Sequence, residues 1–287
     1  MSFLYKKFEQ YKKLYLSYGI YSSLIILVNN FFYKIFKKRY LLGPIDYHKR
    51  YLNKKVIEIS NLKVMSGNYK GTYLINKSHW SKFDFASKLL GLYEQQIQNF
   101  IVKIQKKKAL KNFINIGCGD GYHALGLVKN KFFEKSICYE ISPEAREILR
   151  TNLKENNIEN NFIIREEANL DKIKDDLKNI NIEETLFLID IEGNEFKLLC
   201  SEDLNFINQG YLIIEDHNFM LNDNELKKKF YSNIKKFFNL EIINNGSRNT
   251  FEIDNEFLNN LNDDSRFLLV GEGRPKKMHW IFLSPKE

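Results

Sequence analysis

Three carboxylates fall within six residues at Asp190-Ile191-Glu192-Gly193-Asn194-Glu195, directly after the apolar run Leu186-Phe187-Leu188-Ile189. A second apolar run, Tyr211-Leu212-Ile213-Ile214, ends in Glu215-Asp216-His217. Carboxylates held at strand tips are costly unless a cation or hydrogen-bond donors meet them. If the two runs are adjacent parallel strands, Asp190 lies beside Glu215 and Asp216. The cluster then has the make-up of a hard-cation site or an acid/base site. His217 follows the acidic pair and is the candidate general base, with Asp190 taking that role if no metal is present. Helix capping by Asp190, surface charge at the other acids and a packed imidazole at His217 are the plainer readings of the same residues.

A third segment, Phe113-Ile114-Asn115-Ile116-Gly117-Cys118-Gly119-Asp120-Gly121-Tyr122, runs from a buried strand into three alternating glycines. Such a turn leaves no room for Cβ atoms and lets backbone pass close to a ligand at a helix N-terminus. An ordinary strand–helix connection is the other reading. About twenty residues on, Ser136-Ile137-Cys138-Tyr139 ends in Glu140, where an acid can accept the hydroxyl protons of a ribose. The third glycine comes two residues after the second, whereas a dinucleotide fingerprint has it three after.

These residues need a scaffold that brings strand tips together. From Asn112 onward, strand patterns (113–116, 136–140, 162–165, 186–190, 211–215, 239–243, 278–283) alternate with helical ones (121–129, 143–156, 170–178, 194–200, 224–237). Alternation at this spacing predicts an α/β protein with a seven-stranded, doubly wound, mostly parallel sheet. Ligand-binding loops then gather at its carboxyl edge. Before the sheet, residues 1–44 read as a basic helical segment closed by Leu42-Gly43-Pro44. Residues 45–110 read as a small β-rich cap, with Val56 to Ile59 and Gly71 to Ile75 extended, followed by a helix pair over 81–110. The domain expectation is therefore 1–44, 45–110 and a catalytic 111–287.

The glycine turn with its ribose acid resembles the class I S-adenosylmethionine (SAM) methyltransferases. Asp190-Ile191-Glu192-Gly193-Asn194-Glu195 is similar to the Asp-x-Glu-Gly-x-Glu signature of FkbM-type methyltransferases. Gly91-Leu92-Tyr93-Glu94 matches that family's Gly-x-Tyr-Glu segment, and Tyr211 to His217 its apolar strand ending in acid and His. The resemblance covers about residues 80–285. It implies the class I methyltransferase fold and SAM-dependent O-methylation of a sugar, glycan or related small molecule. The cofactor set it implies is Glu94, Asn115, Gly117, Gly119, Gly121, Glu140, Ile141, Asn169 and Asp190, with Asp190, His217 and Glu215 catalytic. Related macrolide-sugar enzymes imply Mg2+ on Asp190, Glu215 and Asp216. This chain departs from the family at Asn115, usually Asp, at Cys118 and Asp120, usually Ala and Asn, and at Glu215, usually Asp. A catalytically inactive SAM-fold binding protein and an NAD(P)-dependent sugar-modifying oxidoreductase are the alternatives. Weaker candidates are His123 as a helix cap, His79 beside Trp80 as a sugar-stacking face, and Arg274 in the turn before the last strand.

Charge divides the chain. Residues 1–50 carry ten Lys/Arg against Glu9 and Asp46, and the remainder carries thirty-four of each sign. A neutral catalytic part excludes a basic nucleic-acid-binding body. The uncharged run Leu14 to Tyr33 is long enough to span a bilayer, but Ser17, Gly19, Ser22, Ser23, Asn29 and Asn30 interrupt it. Residues 1–40 are expected to pack on the domain, to mediate a homo-oligomer, or to make a peripheral membrane contact. Cys118, Cys138 and Cys200 have no metal-ligand spacing, which suits reduced thiols. The expected location is the cytoplasm, at the inner membrane face if the N-terminus makes that contact.

Overall fold

A computed structural model describes residues 3–36, 44–77, 84–200, 204–246, 248–274 and 276–286. The chain forms two compact units, Met1–Lys55 and Val56–Glu287.

The larger unit is built on one sheet. Its strands are β1 (Asn112–Ile116), β2 (Lys135–Tyr139), β3 (Phe162–Arg165), β4 (Thr185–Ile189), β5 (Tyr211–Glu215), β6 (Phe238–Asn244) and β7 (His279–Pro285). Their order is β3-β2-β1-β4-β5-β7-β6. β7 runs antiparallel between β5 and β6, and the other pairings are parallel. This is the doubly wound class I methyltransferase fold that the resemblance implied. β1, β4 and β5 are buried at every residue. Central parallel strands covered on both faces read as continuous apolar runs rather than alternating ones. The edge strand β3 alternates instead between half-buried and exposed residues. A core including Phe187, Phe196, Phe230 and Phe238 packs around the sheet.

Register decides where the chemistry lies. Ile116 pairs with Ile189, and Ile189 with Ile214. The glycine turn, Asp190 and Glu215 therefore leave the sheet side by side at its carboxyl edge. The helices that follow start on local signals. Ser142 caps the helix Pro143–Asn156, accepting from the Ala145 N–H at 3.2 Å with Pro143 at the first helical position. Asn169 caps the helix Leu170–Leu177 through the Lys172 N–H.

One expectation is corrected. Val56 to Ile59 is not extended; it belongs to a helix, Pro44–Ser60. Leu52, Val56 and Ser60 are buried four residues apart, and that helical period overrides the short apolar/polar alternation. Gly71 to Ile75 makes a single bridge, Tyr73 to Lys63, in place of a strand. Its backbone is held by the helix Pro143–Asn156: Tyr73 N–H donates to Asn156 Oδ1 at 2.9 Å and Ile75 N–H to Asn152 Oδ1 at 2.8 Å. The helix pair is present as Phe85–Leu90 and Gln95–Lys108. Residues 81–83 and the break at Leu42-Gly43 lie outside the described residues. The three cysteines are free and buried.

In the smaller unit, Phe3–Phe36 is helical on both sides of Gly19, whose φ of 72° and ψ of 173° interrupt it. Among the described residues, no helix is long and apolar enough to cross a membrane.

Candidate active site

A cavity of about 740 Å³ opens at the carboxyl edge of β1, β2 and β4. Its floor is the glycine turn. Gly117 has φ 81°, and a Cβ there would stand 1.8 Å from the Asp190 carbonyl oxygen. The N–H groups of Gly117 and Cys118 both donate to the Tyr139 carbonyl, at 2.9 and 3.0 Å. This folds the turn across the tip of β2 and delivers Glu140 to the wall. Gly119 N–H donates to Glu140 Oε2 and Ser142 N–H to Oε1, each at 2.8 Å. Each carboxylate oxygen keeps a further lone pair for a ligand.

Of the expected cofactor set, Glu94, Asn115, Gly117, Gly119, Glu140, Ile141, Asn169 and Asp190 line the cavity. Gly121 does not. It precedes the helix Tyr122–Lys129 at φ 85°, where a Cβ would meet Leu149 Cδ1 at 2.3 Å, so its role is packing. Asn115 is 2% exposed, and its Oδ1 is a buried acceptor without a protein partner. Such an atom is costly unless a ligand satisfies it. Asn169 spends its Oδ1 on Lys172 N–H.

One flank is an ion-pair network. Glu94 is buried and sits at a left-handed φ of 49°. Its Oε2 lies 2.8 Å from His123 Nε2 and its Oε1 accepts from Arg274 Nη2 at 2.5 Å. Arg274 also donates to Glu215 through Nη1 and to Glu272 through Nε, and Glu272 accepts the Glu94 N–H. His123 is thus no helix cap: Tyr69 Oη meets its Nδ1 at 3.0 Å. Burial alone would raise the Glu94 pKa, but the hydrogen bond and charge of His123, with Arg274 and Lys88, hold it down to about 2. A depressed carboxylate contributes stability that is present above its unfolded pKa and lost as pH falls through the folded one. The Glu94 contribution is therefore expected to vanish between about pH 4.5 and 2. Acid unfolding followed by circular dichroism should show a shallower loss in that window for Glu94→Gln than for the native chain.

The other flank holds the acidic tips. His217 is 1% exposed. Its Nδ1 lies 3.2 Å from Glu195 Oε1, which also accepts the His217 N–H at 3.1 Å. Glu195 is fully buried, and its other oxygen accepts Gly193 N–H at 2.8 Å. The ring is thereby aimed so that Nε2 lies 3.4 Å from Glu192, 3.5 Å from Glu215 and 3.8 Å from Asp190 Oδ1. Burial opposes charge on His217, but Glu195, Glu215 and Glu192 outweigh it and raise its proton affinity. Asp190 is pushed well above the usual carboxylate range, first by burial and then by the charges of Glu215 and Glu94. No N–H group meets its buried Oδ1, and its carboxyl group is in hydrogen-bonding contact with that of Glu215, so the two acids form a buried pair.

Asp216 does not join this group. Its Oδ2 accepts from Tyr231 Oη at 2.7 Å and lies 2.8 Å from His279 Nε2, and Asn218 takes both of its oxygens. Successive residues of an extended chain point to opposite sides, so Glu215 and His217 share a side and Asp216 faces away. The expected Mg2+ ligands Asp190, Glu215 and Asp216 therefore do not converge, and Glu215 is engaged by Arg274. The described residues that do converge are Asp190, Glu192 and His217, within 4.8 Å of one another. One nitrogen and two carboxylates are not the oxygen shell Mg2+ prefers, so the residues present do not fit that ion.

Sequence reasoning missed Lys88 and Trp280. Lys88 lines the cavity, reaches Asp120 at 2.6 Å and stands over the Tyr93 ring. Trp280 lies opposite Glu215 in the β5–β7 pairing, and its buried Nε1 is a donor without a protein partner at the cavity wall. The pattern Met278-His279-Trp280 signalled only a strand. His79 and Trp80 lie outside the described residues.

No family model matches the chain, and no curated protein matches it. Several solved structures are similar. An O-methyltransferase from Bacillus cereus in complex with SAH is 12% identical over 91% of this chain and 97% of its own, with a TM-score of 0.45. Precorrin-6y C5,15-methyltransferase from Geobacter metallireducens is 14% identical over 67% and 89%, with a TM-score of 0.42. An rRNA methylase from Streptococcus thermophilus is 11% identical over 67% and 96%, also at 0.42. These values are too low for a reaction or substrate to pass from those proteins to this one.

Proposed function

We propose that this chain is a SAM-dependent O-methyltransferase of the FkbM type, acting on a hydroxyl of a sugar, glycan or related small molecule. The observation that carries the reading is one cavity with two ends. At one end lie a glycine turn and Glu140, suited to a nucleoside. At the other lies Asp190, a buried acid whose Oδ1 no N–H group meets and whose carboxyl is paired with that of Glu215. When bound, SAM supplies a methyl group on a positively charged sulfonium. The residues present fit it: Gly117 lets the turn pack against the Asp190 carbonyl, Gly119 leaves open space where a Cβ would stand, Glu140 is placed for the ribose, and the exposed Ile141 offers an apolar face to the purine. Asn115 Oδ1 is an open acceptor for the donor's ammonium group. The surplus of carboxylates around Asp190 favours a cationic ligand at that end.

A hydroxyl oxygen must lose its proton to become methylated, and neutral sugar hydroxyls give it up reluctantly. Asp190 is the better base of the two candidates. It reaches the cavity, whereas His217 is almost wholly enclosed and both its ring nitrogens face carboxylates. His217 instead positions Asp190 and offsets the charge gathered around it. Glu215 belongs to the same charge cluster, tied to Arg274. The buried acid pair of Asp190 and Glu215 at the cavity counts against an inactive binding protein, which has no use for its cost. Incubation with radiolabelled SAM and cell extracts fractionated by polarity tests the reading: label should appear in hydroxyl-bearing small molecules or glycans. Label confined to nucleic acid or protein would refute it.

A further inference from the structure

The N-terminal unit presents a surface that the reaction does not need. In the helical segment 20–36, Ile20, Tyr21, Leu24, Val28, Phe31 and Ile35 are each at least 39% exposed. At 100° per residue they fall within an arc of about 100°, so they form one continuous apolar stripe. Soluble chains rarely leave a stripe of this size to water. Cations flank it in the sequence: Lys6, Lys7, Lys12 and Lys13 before, Lys34 in its last turn, and Lys37, Lys38 and Arg39 after. The first fifty residues hold ten cations against two acids, and no acid lies between Glu9 and Asp46.

We infer that this stripe lies in the interface of an anionic lipid bilayer, tethering the chain to the membrane surface. Charge separates this occupant from a second copy of the chain. Pairing two copies through the stripe would bring like cationic segments together, whereas an anionic leaflet attracts both flanks. Depth follows from the same residues. Ser22, Asn29 and Asn30 lie on other sides of the segment, and no described helix is apolar enough to cross, so the stripe inserts shallowly and parallel to the surface. A surface tether would give a methyl-transferring chain access to lipid-linked acceptors, but the inference rests on the N-terminal unit and stands apart from the proposed reaction.

The test is co-sedimentation of the full chain with vesicles of phosphatidylcholine, with or without about one third phosphatidylserine. The full chain should pellet with the anionic vesicles, at least about tenfold more tightly than with neutral ones, and release as salt is raised. Leu24→Asp with Phe31→Asp should weaken pelleting by about tenfold or more, since both side chains are exposed and the fold does not depend on them. Lys12→Glu with Lys34→Glu should lower binding and flatten the salt response. Three results would overturn the inference. These are a full chain left in the supernatant at low salt, pelleting indifferent to the Asp pair, or a stable dimer by sedimentation velocity that the Asp pair dissolves.

Discussion

Asp190→Asn is expected to lower methyl transfer by about 10²–10⁴-fold while SAM affinity stays within about tenfold. The amide keeps the shape of the carboxylate and its place beside His217, but cannot take a proton. Gly117 and Glu140, which shape the donor end, do not touch this side chain; only the Asp190 backbone approaches Gly117. Binding and turnover should therefore separate. Titration calorimetry gives the first and a radiolabel assay the second. Unimpaired turnover in the variant would remove Asp190 as base, and loss of both together would point to a structural role.

Arg274→Met is expected to be the most destabilising single change at the site, by about 3–5 kcal/mol. Arg274 bridges Glu94, Glu215 and Glu272, whose side chains are 3%, 5% and 3% exposed. Removing the cation leaves buried carboxylates facing one another. Burial already raises the pKa of Glu215, Glu94 raises it further, and Arg274 opposes both. Urea unfolding near neutral pH should show the loss, and adding Glu215→Gln to Arg274→Met should restore part of it. A loss below about 1 kcal/mol would mean the cluster is screened by solvent and holds the loop only weakly.

How far the sequence could be read depended on how local each signal was. β4 and β5 were legible because strands covered on both faces leave apolar runs, and β1 because its Phe113, Ile114 and Ile116 lead straight into the glycine turn. The helix Pro143–Asn156 was legible from Ser142 and Pro143, and the helix Leu170–Leu177 is capped by Asn169, a residue that the sequence placed only in the cofactor set. The tie between Glu94 and Arg274 was not legible: 180 positions separate them, and it forms only once β7 inserts antiparallel beside β5. The Asp216 assignment failed for a reason visible in the chain. The alternation that puts Glu215 and His217 on one side sends Asp216 to the other, toward Tyr231 and His279. At Val56 to Ile59, two apolar/polar alternations suggested a strand, but the four-residue spacing of Leu52, Val56 and Ser60 carried the longer-range information. Trp280 could have been found by pairing the last strand against the one ending in Glu215.

The donor end of the cavity can be probed without knowing the acceptor. Calorimetric titration of the full chain with SAM, S-adenosylhomocysteine and NAD, repeated on Glu140→Ala, should give one site per chain for the first two and none for NAD. The variant should bind about tenfold or more weakly, because Glu140 pins the Gly119 turn and, in the proposed reading, accepts the ribose hydroxyls. Heat from NAD with none from SAM, or SAM binding untouched by Glu140→Ala, would contradict the assignment of this cavity to a methyl donor.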